Sequence, residues 1–335
     1  MGLPNWYFAI DANRASSLST PGISRILYIQ RVFLIWRSSV NRVDISYATI
    51  KSMKDPMHFS QQKIQRYKQV QALLERLHPD FPPQALVIPG SAHPTGNIIV
   101  FTGSFNPPTN AHLAMLEQAE RFAHSPALSA TGDQRGLLLY AAISKRTTDK
   151  ENVDRPLLLD RVILLDTLFE QRLPSTGIML FNRGLYVEQA EAVRSSFPEV
   201  SRLFFLLGFD KIMQILDPHY YDDRDAALKS LFSLAELLVA PRGTANADTL
   251  TVLLQQPQNQ PFSQYIHSLP LDSAYRDISS SRIRQHGVEH SRDIPQEVRR
   301  FMDETHAYEP PTRLEDGTVV DYYGERVKML EALIR

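Results

Sequence analysis

The sequence contains no cysteine. Disulfides, thiolate zinc sites and a cysteine nucleophile are therefore excluded, and a reducing compartment is compatible with the chain. Tryptophan is scarce: the only two, Trp6 and Trp36, lie close to the N-terminus. Charge of one sign is lacking too. The formal net charge is −1 over 335 residues, so no overall field favours nucleic acid. No apolar run is long enough to span a bilayer; the nearest, ILYIQRVFLIW at 26–36, is short and carries Arg31. Neither GxGxxG nor GxxxxGK[ST] occurs, so the usual dinucleotide and P-loop signatures are missing. No internal repeat or low-complexity tract is present. Neither nucleic acid nor membrane is an expected partner, and a homo-oligomer is compatible with the chain.

What remains is ordinary for a globular protein, with 43% hydrophobic and 22% charged residues. The length suits one large domain with extensions. The first fifty residues stand apart. They carry Arg14, Arg25, Arg31, Arg37 and Arg42, many serines, and only Asp11 and Asp44 as acids. Three readings stand: an organelle-targeting leader on an otherwise cytoplasmic protein, an unstructured leader, or upstream sequence included by a wrong start codon, with Met53 or Met57 as the real start. We expect residues 1–56 to be poorly structured. FSQQKIQRYKQVQALLERLHPD, at 59–80, places Ile64, Tyr67, Val70, Leu73, Leu74 and Leu77 at helical spacing, and His78-Pro79 ends it. FPPQALVIPGSAHPTG, at 81–96, reads as a Pro/Gly-rich connector. The segment 57–96 is thus a helix and a connector before the main domain.

From residue 97 the pattern changes. NIIVF, GLLLYAAIS (136–144), GIMLFN (177–182), SRLFFLLG (201–208) and ELLVAPRG (236–243) are apolar runs bounded by turn residues, as buried parallel strands are. Helical patterns lie between them, at 113–122, 156–171, in VEQAEAVRSSFP and at 223–235. This alternation predicts an α/β fold: a doubly wound parallel sheet with right-handed crossovers. The main domain is expected over 97–310. The tail 311–335 carries a polar turn, LEDG, and an amphipathic helix whose Leu330, Leu333 and Ile334 can dock on the domain or on a second subunit.

The most informative stretch is FTGSFNPPTNAHL at 101–113. It joins the C-terminal end of the first main-sheet strand to a helix, the place where open α/β sheets bind ligands. Gly103 permits close backbone approach, Ser104 adds a hydroxyl, and Asn106-Pro107-Pro108 stiffens the turn. Thr109 and His112, three apart, can face one side. A helix N-terminus there offers N–H groups and partial positive charge to a phosphate.

This stretch resembles the first signature of the nucleotidylyltransferase superfamily, GxFxP followed by TxxH, here Gly103-Ser104-Phe105-Asn106-Pro107 and Thr109-Asn110-Ala111-His112. The FNPxTxxH form is more similar to the nicotinamide/nicotinate mononucleotide adenylyltransferases of eukaryotic type. ISSSRIR at 278–284 resembles the second signature, ISSTxxR, with Ser281 in place of Thr. GFDKIM at 208–213 and IPQEVRRFMDETHAY at 294–308 are similar to the family's ribose-contacting G-x-D and its closing helix. The resemblance covers about 97–310. It implies a Rossmann-like, cytidylyltransferase-like fold and transfer of the adenylyl group of ATP to a mononucleotide phosphate, with release of pyrophosphate and with Mg2+ carried on the ATP. It implies catalytic roles for His112 and Arg284, and ATP contacts from Gly103, Ser104, Phe105, Thr109, His112, Gly208, Asp210, Ser280, Ser281 and Arg284. Arg242, just after the last apolar strand, is a further expected ATP contact. The domain lacks the tryptophan that often stacks on the nicotinamide, so Tyr221, with Tyr186 second, is the expected acceptor-binding ring. His112, with a pKa near neutrality, is expected to carry charge among phosphates. A CDP-alcohol or pantetheine-phosphate type of transferase, or a catalytically silent nucleotide-binding regulator, are the alternatives.

Beside these, Lys145 and Lys150 read either as phosphate clamps or as a solvated loop. His286 and His290 read as surface residues. Asp222-Asp223-Arg224-Asp225 reads as a helix start rather than a metal site, and no dedicated metal site is expected.

Overall fold

The computed structural model describes residues 59–123, 137–145, 155–286, 292–314 and 317–335. The leader readings at 1–56, the 26–36 apolar run, Lys150 and His290 lie outside the described residues. The chain from Phe59 to Arg335 forms one unit.

Seven strands form the main sheet, in the order β1-β4-β3-β2-β5-β6-β7. They are β1 (Ala85–Val87), β2 (Gly96–Thr102), β3 (Leu138–Ser144), β4 (Thr176–Phe181), β5 (Val200–Gly208), β6 (Glu236–Ala240) and β7 (Ile266–Ser268). All pairs are parallel except β1 with β4. Leaving β1 aside, the remaining strands follow the doubly wound order, with its topological switch between β2 and β5. The central strands are apolar on both faces: every residue of β2 from Gly96 to Phe101 is buried. Two hydrophobic clusters, one on each face, account for this pattern.

A helix occupies each segment where the periodicity predicts one, and two more, at Phe209–Leu216 and Ala247–Gln255, lie where none is predicted. The helices are α1 (Gln61–Arg76), α2 (Asn110–Ala123), α3 (Leu158–Arg172), α4 (Tyr186–Ser196), α5 (Phe209–Leu216), α6 (Arg224–Leu234), α7 (Ala247–Gln255), α8 (Ser280–His286), α9 (Gln296–Thr305) and α10 (Tyr322–Ile334). Ser60 caps α1 by accepting from the Lys63 N–H. The apolar stripe of α1, with Tyr67, Val70 and Leu74, is buried in the same cluster as α3 residues Val162 and Leu165. Each such fully buried side chain contributes about 1.5–3 kcal/mol. Asp223 caps α6 through the Ala226 N–H, so its acidic run is a helix start.

One expectation changes, and short strands appear where none is predicted. The stretch 81–96 is more than a connector, because Ala85–Val87 pairs with β4 and adds an antiparallel edge strand to the main sheet. Pro82, Pro83 and Pro89 bracket it, which an edge strand tolerates and a central one does not. The short strand β7 extends the opposite edge beyond β6. In the tail, β8 (Thr312–Arg313) and β9 (Val319–Val320) form a small antiparallel pair before α10.

The tail helix docks on the domain itself. Leu330 is buried in the main cluster, with Ile334 packed against it. A buried polar knot fixes it there. Asp160 of α3 is fully buried; it accepts from the Tyr67 hydroxyl of α1 at 3.0 Å and from the Tyr323 hydroxyl of α10 at 2.7 Å. Arg326 of α10 pairs with Asp160 at 2.5 Å and donates to the Tyr67 hydroxyl at 2.8 Å. Outside this knot, Arg155 pairs with Asp321, the N-cap of α10. Among the described residues, no helix is long and apolar enough to cross a membrane.

Candidate active site

The 103–109 loop leaves β2 at the switch point. The Gly103 N–H donates to the Ala142 carbonyl of β3 at 3.0 Å, which carries the sheet one step beyond the strand. A Cβ on Gly103 would come within 3.2 Å of the Phe105 ring. Ser104 is exposed. Phe105 has a φ of +45°, a left-handed conformation uncommon for a bulky residue. Its ring is buried, edge-on to Phe101 at 5.4 Å and tilted over the His112 ring at 5.0 Å. Phe105 therefore packs behind the imidazole, and only its backbone is left for a ligand.

Thr109 is the N-cap of α2. Its hydroxyl accepts from the His112 N–H at 3.3 Å, and its own N–H donates to His112 Nδ1 at 2.9 Å. The Thr109 hydroxyl also lies 2.9 Å from Nδ1. A nitrogen that accepts a backbone N–H carries no proton, so the imidazole proton sits on Nε2 and can be donated to a ligand. Burial first, and the positive charge of Arg242 second, push the His112 pKa down to about 4. This corrects the expectation of a pKa near neutrality. Without a ligand, His112 is a neutral hydrogen-bond donor.

The second signature reaches this loop directly. Ser280, the first residue of α8, donates its hydroxyl to the Pro107 carbonyl at 2.8 Å. Arg284, one turn on, donates through Nη1 to the Asn106 carbonyl at 2.5 Å and through Nη2 to the Ser281 hydroxyl at 3.3 Å. The two signatures, 173 and 178 residues apart at these bonds, thus brace each other. Ser281 is exposed.

Across the switch, Gly208 is the N-cap of α5, and a Cβ there would meet nothing within 4 Å. Asp210, in the first turn of α5, pairs with Arg242 after β6, with Oδ2 to Nε at 2.5 Å. Both side chains are largely exposed. The residues expected to contact ribose and phosphate separately are joined to each other here.

The aromatic candidates sit differently. The Tyr221 hydroxyl donates to the Ile215 carbonyl at 2.9 Å, in the last turn of α5, and burial raises its pKa. Tyr186, at the start of α4, is edge-on to Phe205 at 5.2 Å. Lys145 is turned away from a phosphate role: its ammonium donates to the Leu74 carbonyl of α1 at 2.8 Å. For a metal ion, the described residues offer no group of three or more His, Asp or Glu. The carboxylate at the switch, Asp210, already neutralises Arg242.

One contributor escaped the sequence reading. Arg161 of α3 donates from Nη1 to the Ser104 carbonyl at 3.3 Å, so a second arginine bonds to the loop, at the residue before Phe105. Its place inside the apolar helical run PLLLDRVILL gave no sign of this.

The fold and the loop define the class: a doubly wound α/β protein with a donor-rich site at its switch point. Compared with known proteins, the chain matches no family model and no curated protein. Among solved structures it is similar to the Plasmodium falciparum nicotinic acid mononucleotide adenylyltransferase complexed with APC, at 15% identity and a TM-score of 0.44. That alignment covers 63% of this chain and 96% of the other. A second similar structure is a Vibrio parahaemolyticus protein provisionally assigned as a nicotinate-nucleotide adenylyltransferase, at 13% identity and a TM-score of 0.33. There the shares are 62% and 98%.

Proposed function

We propose that the chain transfers the adenylyl group of ATP to the phosphate of nicotinate or nicotinamide mononucleotide, releasing pyrophosphate and forming a dinucleotide. The observation that carries this reading is the bracing of the two signatures: Ser280 and Arg284 bond to the backbone of the loop that presents His112. In such a transfer, the acceptor phosphate oxygen attacks the α-phosphorus while the bond to the pyrophosphate oxygen breaks. Charge grows on the oxygens, so catalysis rests on position and on donors aimed at them. His112 donates from Nε2 to the triphosphate. Arg284 offers a planar fork to its outer oxygens, with Ser281 beside it. Asp210 and Arg242 exchange part of their mutual pairing for ribose and phosphate. Gly208 leaves room for close approach. Mg2+ arrives on the ATP, and no step is assigned to a protein-bound ion. Tyr221, with Tyr186 second, supplies the aromatic face for the pyridine ring.

The test is direct. The full chain, incubated with ATP, Mg2+ and a panel of acceptor phosphates, should yield a dinucleotide of the expected mass with nicotinate or nicotinamide mononucleotide. Product only from a pantetheine phosphate, or only with CTP and an alcohol phosphate, would reassign the acceptor. No product with any acceptor would remove the enzymatic reading.

A further inference from the structure

The tail helix α10 lies beyond the part of the chain that carries the resemblance, yet it is tied to the 103–109 loop in two steps. In the first step the loop is bonded to the stretch 155–161, at the residue before Phe105 and at the residue after it. Arg161 Nη1 donates to the Ser104 carbonyl at 3.3 Å, and Asn106 Nδ2 donates to the Arg155 carbonyl at 3.4 Å. Each bond is long, but burial backs them. Asn106 is buried, and Phe105 shares one hydrophobic cluster with Leu159 of α3 and Leu330 of α10. In the second step the first turns of α10 grip the same stretch. Arg155 pairs with both oxygens of Asp321, Nη1 to Oδ1 at 2.8 Å, and its Cζ stands 5.5 Å from the centre of the Tyr323 ring. The Leu157 N–H donates to the Tyr323 hydroxyl at 2.7 Å, and that hydroxyl donates to Asp160 at 2.7 Å. Asp321 also accepts from the Gly324 N–H at 2.9 Å, so one carboxylate caps α10 and seats Arg155. The stretch 155–161 is thus a strut with the tail at one side and the loop at the other.

We propose that α10 is a positioning element of the site. Asp321 and Tyr323 hold the 155–161 stretch, and through Arg155 and Arg161 that stretch fixes the backbone of the loop that presents His112. Donors aimed at developing charge lose their effect when they drift by a fraction of an ångström, so a strut on the loop backbone bears on the chemistry from a distance. Asp321 and Arg155 are positioning residues that act through the loop. The hold on the loop rests on these bonds alone; its effect on turnover rests on the function proposed above.

Hydrogen exchange on the full chain, read by mass spectrometry, tests it. Two segments are compared: 103–112, and the central strand β6, which reports global stability. Asp321→Asn keeps the cap, because asparagine also accepts from the Gly324 N–H, and removes the charge that seats Arg155. It should speed exchange in 103–112 by about threefold, the scale of a partly exposed ion pair, and leave β6 unchanged. Arg155→Gln should do the same, and the double variant should resemble either single one, because both act through one pair. Arg155→Lys should stay nearer the wild type, because it keeps the charge. Turnover should fall in step with the faster loop exchange. Unchanged exchange at 103–112 in Asp321→Asn would overturn the proposal. So would equal acceleration in 103–112 and β6, the mark of a structural role only, or additive effects in the double variant. If Asp321→Asn does not fold, Arg155→Gln decides by the same comparison. Faster loop exchange in a chain whose wild type makes no dinucleotide would leave the positioning standing and remove adenylyl transfer. An active chain whose loop ignores the substitutions would do the reverse.

Discussion

At His112, the Thr109 N–H that donates to Nδ1 sets the tautomer, and with the Thr109 hydroxyl, also 2.9 Å from Nδ1, it sets the ring's direction. Replacing it with alanine should lower turnover by about a hundredfold or more with the fold intact, as for loss of one transition-state donor. Steady-state rates beside a circular-dichroism melt check this. The low pKa also has a stability consequence. The folded value is about 4 and the ordinary value 6.5, so between them the unfolded chain binds more protons. Stability should therefore rise with pH across that window and be lost as the pH falls from 6.5 towards 4. Urea midpoints at a series of pH values should show this slope in the wild type and a flatter one in His112→Asn. At Tyr221, ring and hydroxyl can be separated. Tyr221→Ala should raise the acceptor KM far more than the ATP KM, while Tyr221→Phe, which loses only the bond to Ile215, should leave both near normal. Equal rises in both constants for the alanine variant would take Tyr221 out of the acceptor pocket.

Among the elements, α1, α3 and α10 meet on a single carboxylate. Arg326→Met leaves Asp160 charged, buried and without its cation, and should cost about 3–5 kcal/mol in urea unfolding. Asp160→Asn combined with Arg326→Met removes both charges and should recover part of that loss; a double variant less stable than the single one would contradict this account. No part of this knot was legible in the sequence. The four residues come from distant segments: Tyr67 reads as part of the apolar stripe of its helix, and Asp160, Tyr323 and Arg326 each look like an ordinary polar residue on a helix. Arg161 was hidden for the same reason. By contrast, NIIVF and the other apolar runs announced the sheet, because a strand buried on both faces has a local signature. The loop and ISSSRIR were legible as motifs; that Ser280 and Arg284 bond to the loop backbone was not, since backbone contacts leave no trace in residue identity. The edge strand at 85–87 was masked by the prolines around it, which mark turns as readily as edges.

At the scale of the molecule, α1 and β1 belong to the fold although they precede the alternating pattern. A chain begun at Met57 should fold and keep its activity. One begun at Asn97 would strip Tyr67, Val70 and Leu74 from the core, and should be insoluble or unfolded by circular dichroism. A folded, active chain begun at Asn97 would show that the α1 contacts are dispensable. The meeting of α1 with α10 has another consequence. Phe59 lies under the Arg326 guanidinium, 5.1 Å from ring centre to Cζ, and Leu330 and Ile334 pack in the same cluster as Tyr67. The first and last helices of the described unit are neighbours, so topologically the unit is a ring with one cut in it. A short flexible linker could close that cut, and the chain could be reopened at an exposed turn such as 256–258. The circular permutant would keep every helix and strand in place while its ends emerged on a different side of the protein.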